Sequence, residues 1–163
     1  MLALRYVYVL ALVVWLGGMV VLGAIVAPAT FQVLQASDAE GGRALAGAVF
    51  GTIIGRFYNV SYGAGVVMLL SLAAMGVLGP RPAHFFVRLV IISITIAVTT
   101  YAAFVVLREI NQIQSDLGYL PSMLAAADPR RLRFDTLHNL STRLMQFNLV
   151  AGLVLLYWEA REA

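Results

Sequence analysis

Five polar side chains set in apolar surroundings could do chemistry in this sequence: Arg56, His138, Ser141, Arg143 and Asn148. Four of them fall in the run from Arg130 to Trp158, which is long enough to cross a membrane yet dense in polar groups. At helical spacing, Phe134, His138, Ser141, Met145, Asn148 and Gly152 form one narrow stripe, beside an apolar face of Leu137, Leu140, Leu144, Phe147 and Ala151. A crossing helix needs about 20 residues, and that many counted back from Trp158 reach Asn139. Ser141, Arg143 and Asn148 therefore cannot all stay in water. Side chains at that depth must face other helices or a wet cavity. Arg56, at the start of the second crossing, lies on the same membrane face, so a shared polar pocket is predicted, with Trp15 packing beneath it. The arginines would give it fixed positive charge for an anion, and His138 would make binding depend on pH. A competing use of Arg56 and Arg143 is plain anchoring, with the guanidinium snorkelling outward.

Other chemistry has less to stand on. There is no cysteine, which excludes disulfides and thiolate metal sites. The six methionines are not clustered, and no set of metal-ligand spacings is present. Catalysis has no recognisable motif either: no Ser-His-Asp spacing, no H-E-x-x-H and no phosphate-cradling glycine loop occur. His84 and His138 open different helices at opposite membrane faces, so one haem iron cannot take both across a core of about 30 Å. A net charge of +3 is spread without a dense basic block, so nucleic acid is not an expected partner.

The elements that must position these residues are helices. The chain has 163 residues, 61% hydrophobic and 12% charged, against about 25% charged in soluble domains. This composition predicts an all-α integral membrane four-helix bundle, one transmembrane domain over residues 1–163, in contact with the lipid bilayer. The helices are expected at about 2–27, 43–78, 85–116 and 129–159. The first apolar run, which ends near Pro28, is too long for a signal-peptide core of roughly 7–15 residues. Gly79-Pro80-Arg81-Pro82 is a tight turn, and Asp128-Pro129 opens the last helix as N-cap and first position. Gly17 and Gly18 are expected to make room for Trp15 or a neighbouring helix. Gly47, Gly51 and Gly55 recur every four residues and predict close helix packing, within the bundle or across a homo-oligomer. With four crossings both termini share one face. Most arginines lie on the other, which places the 1–2 and 3–4 connections in the cytoplasm, as in a bacterial inner membrane.

Trp15-Leu16-Gly17-Gly18, Pro28, Phe31, the glycine-rich run from Gly47 to Phe57, and His138 with Ser141 resemble the small bacterial and animal membrane family typified by transmembrane protein 205. The likeness runs from Val14 to about Leu155. It implies a four-helix membrane protein with no agreed activity. In that family an amide usually follows the histidine by about seven residues. Here Met145 holds that position and the amide is Asn148. Two functional readings follow: binding or transport of a small solute or ion without catalysis or cofactor, or a redox protein holding haem or quinone near His138 and Trp15. A third is a structural subunit of a larger membrane complex.

Overall fold

With no water in the hydrocarbon layer, an apolar chain must satisfy its backbone within its own helices. The protein, here a computed structural model describing residues 2–38, 41–79, 81–117 and 121–162, does so. Four helices are long and apolar enough to cross a membrane: α1 (Leu2–Ser37), α2 (Gly41–Leu78), α3 (Phe85–Leu117) and α4 (Pro129–Glu162). No strand occurs among the described residues. Each helix packs on its neighbour in chain order, and α4 closes the ring on α1. Each holds 33 to 38 residues, or roughly 50 Å at 1.5 Å per residue, so the helices outrun the membrane core.

Three helix ends differ from the sequence expectation by only a few residues; α1 differs more. It runs through Pro28 to Ser37 instead of stopping near residue 27. A π-helical turn at Leu22–Val26 precedes the proline, and the Ala27 N–H reaches back to the Leu22 carbonyl. That wider turn makes room for a ring that would otherwise clash with the carbonyl four residues earlier. Beyond it, Phe31 meets Phe50 of α2 edge to face at 6.4 Å. A second π turn, Ala102–Leu107, interrupts α3. It follows Thr99, whose hydroxyl donates to the Thr95 carbonyl at 2.8 Å, a back-bond that loosens the ladder.

At the start of α4, the Arg130 N–H donates to Asp128 Oδ1 at 2.8 Å, the expected cap. The Arg130 guanidinium holds the Asp128 carboxyl below its ordinary value. Pro80 of the expected turn lies outside the described residues. After the turn, His84 sits at φ 55° and stacks on Trp158 at 5.1 Å.

The core is tightest toward the face that carries the termini. There Tyr8, Leu12, Met68, Leu72, Ile92 and Leu155 are almost fully buried. Val13, Leu70, Val90 and Val150 point outward, as lipid-facing positions must. Of the glycines expected to permit close approach, Gly18 does so, against the ring of Phe57 rather than for Trp15; Gly17 has nothing within 4 Å. The partner that makes room for Trp15 is Gly152, where an added Cβ would stand 3.3 Å from the indole and 2.9 Å from Leu16. A Cβ added at Gly47, Gly51 or Gly55 would stand 3.7 to 4.0 Å from Gln114, Asn111 or Leu107 of α3. Within the bundle that is ordinary van der Waals contact.

Candidate functional site

Toward the opposite face the packing opens into a cavity of about 50 Å³ between all four helices. Its polar lining is Trp15 from α1, Tyr58 and Ser61 from α2, Thr99 from α3, and Ser141 and Asn148 from α4. Both π turns abut it, through Leu22 and Ala102. Such turns recur at functional sites because they displace side chains from regular register. A water needs roughly 10–15 Å³ of such space, so the cavity has room for roughly three to five.

The hydrogen bonds in the cavity have a definite direction. Thr99 spends its one proton on the Thr95 carbonyl, so its oxygen can only accept from Asn148, whose Nδ2 donates to it at 3.0 Å. Asn148 must then present its carbonyl elsewhere. Asn148 is buried, and its Oδ1 has no partner among the described residues. Ser61 returns its proton to the Phe57 carbonyl at 3.1 Å. The cavity thus offers an unsatisfied acceptor deep in an apolar layer, where leaving it unpaired costs about 1–3 kcal/mol. No ionised side chain lines it.

Three of the six residues singled out in the sequence meet here: Trp15, Ser141 and Asn148. Arg56, His138 and Arg143 do not; all three are exposed on the bundle's outside. Their rotation about the helix axes turns them away from the cavity. His138 instead stacks on Phe134 at 6.2 Å, one turn earlier. Tyr58, Ser61 and Thr99 complete the polar lining and are not among the residues that spacing singles out. Only the packing of the helices brings them inward.

A second polar group is one that sequence reasoning overlooked. At the termini's face, Arg88 of α3 is fully buried. Its Nη1 donates to Glu159 Oε2 and its Nη2 to Glu162 Oε1, each at 2.7 Å. Arg5 of α1 pairs with the other oxygen of Glu159, and its Nη2 also donates to the Glu159 carbonyl at 3.1 Å. The usable signal was scarcity. The chain has only eight acidic residues, and two of them stand at the end of α4, level with Arg5 and Arg88. Among the described residues no group of three or more His, Cys, Asp or Glu could hold a metal ion.

A sequence family described as a domain of unknown function, DUF4149, matches residues 10–118, from within α1 to the end of α3. No curated protein and no solved structure matches the chain.

Proposed function

Because the chain belongs to the family described as domain of unknown function DUF4149, for which no activity is given, we propose from the cavity itself that it binds or passes a small uncharged polar solute within the membrane. The observation that carries this reading is the unpartnered Asn148 Oδ1 in a cavity bordered by two π turns. A solute of a few heavy atoms with an N–H or O–H donor fits both the size and the chemistry. Urea, glycerol and water are the natural probes. The absence of charge in the lining argues against an anion there. A haem macrocycle would need the several hundred Å³ of an ordinary ligand pocket. The setting is proposed as a bacterial inner membrane with the 1–2 and 3–4 connections in the cytoplasm. Trp15-Leu16-Gly17-Gly18 and His138 with Ser141 support the finer likeness to the transmembrane protein 205 family.

The test is the permeability of proteoliposomes to water, urea and glycerol, followed by stopped-flow light scattering. Wild type should exceed empty liposomes for at least one of them. Asn148→Leu, close to isosteric, should return that flux to the empty level while keeping or raising thermal stability, because it removes a buried unsatisfied acceptor. Wild-type vesicles no more permeable than empty ones, or a fully active N148L, would refute the proposal.

A further inference from the structure

The bundle's other end holds a larger recess, independent of the cavity above. Its volume is about 490 Å³, within the range of small-molecule pockets. Leu2 and Met75 give it apolar wall, and Arg81, Pro82 and Ala83 of the α2–α3 connection form one side. Its floor is the hydrogen-bonded quartet of Arg5, Arg88, Glu159 and Glu162, in which two positive and two negative charges cancel. Arg81 is the remainder, so three arginines face two glutamates and one positive charge is left over.

Arg81 is exposed and makes no ion pair with a described carboxylate. Its guanidinium lies 5.9 Å from the Phe85 ring centre and 5.6 Å from that of Phe86. Stacking of this kind positions the cation without neutralising it. Beneath it, Arg88 Nε is buried and has no partner among the described residues. Around the recess Leu2, Leu78 and Phe86 are strongly exposed. A charged recess rimmed by exposed apolar side chains at a helix end belongs at the level where acyl chains give way to headgroups.

We propose that this recess binds a phosphate oxyanion, that of an anionic phospholipid headgroup or of a soluble phosphate ester, with Arg81 as the recognising cation. A guanidinium fork suits phosphate oxygens geometrically, and the neutral quartet keeps the other two arginines from competing for the same anion. The apolar rim favours the lipid.

The experiment uses the full chain in detergent, titrated with phosphatidylglycerol and read by native mass spectrometry. Arg81→Gln should weaken binding about tenfold, the loss expected for one charge-assisted contact, and Arg81→Lys should weaken it less. Arg161→Gln removes an exposed charge on the same membrane face, outside the recess, and should leave binding unchanged. Competition with glycerol phosphate then separates the two sources. Displacement assigns the site to a soluble ester and failure to displace assigns it to lipid, and both outcomes support a phosphate site. Wild-type affinity in R81Q, or an equal loss in R161Q, would overturn it, because the attraction would then be a property of the surface charge at large.

Discussion

Glu159 joins arginines of two other helices. It accepts from Arg88 and Arg5 while only 6% exposed. Removing it leaves Arg88 buried beside an incomplete set of partners, a change that costs about 3–5 kcal/mol when one member of a buried pair is lost. Glu159→Ala should therefore lower the thermal midpoint of the purified protein sharply. Replacing both members, Arg88→Leu with Glu159→Leu, should recover much of that loss, since a well-packed apolar pair avoids the desolvation of two ions. A double variant as unstable as E159A would show that the charge pair is not the origin of the effect. Asn148 was legible in the sequence and this cluster was not. An amide deep in an apolar helix gains by turning inward, and Asn148 lies on the same helical stripe as Ser141 and Met145, whereas Gln146 lies off it and is exposed. Arg88 stands in the first turn of its helix, where snorkelling to water is an equally good solution, and its acceptors arrive 71 and 74 positions later. Arg56, Arg143 and His138 show the converse: each stands well inside its helix yet is exposed, because a pattern on one helix does not fix which way that helix is turned against its neighbours.

At the scale of the element, glycine spacing and glycine packing come apart. The Gly47, Gly51, Gly55 series has the periodicity of a close crossing, but at Gly51 an added Cβ would first meet Asn111 at 4.0 Å. Gly51→Ala should be tolerated, and should stabilise α2 by up to about 1 kcal/mol through helix propensity. Gly152 carries no such motif, yet its missing Cβ is what admits Leu16 at 2.9 Å. Gly152→Ala should cost about 1–3 kcal/mol as Leu16 and Trp15 shift. Unfolding of the two variants side by side decides the matter, and the reverse order of stabilities would contradict the packing described. The periodicity of small residues says which face of a helix is shallow. Whether a neighbour comes down onto it depends on side chains of another helix. The same limit applies to α1, where Pro28 reads as a terminus until the π turn before it is known.

The whole molecule follows from hydrophobic length, which is why the number of crossings and their chain order were legible from the start. Four runs, each long enough for a core of about 30 Å, leave an antiparallel ring with both chain ends at one face. The native chain has no cysteine, so single cysteines can map that arrangement with a membrane-impermeant maleimide. Ser37→Cys and Met123→Cys should label from one side, and Leu2→Cys and Ala160→Cys from the other. With the proposed cytoplasmic placement of the 1–2 and 3–4 connections, the first two should react in inverted vesicles and not in intact cells. Labelling of all four from the same side would rule out the four-crossing arrangement.

Among the described residues, both acids that neutralise Arg88 sit in the last turns of α4. During synthesis α3 therefore reaches the bilayer while its guanidinium still has no counter-ion, and the side chain must lean toward the water layer until α4 is threaded in beside it. Closure of the ring around Arg88 therefore waits until the last turns of α4 have been made. A chain cut ahead of Glu159 would hold an unneutralised arginine at the membrane edge.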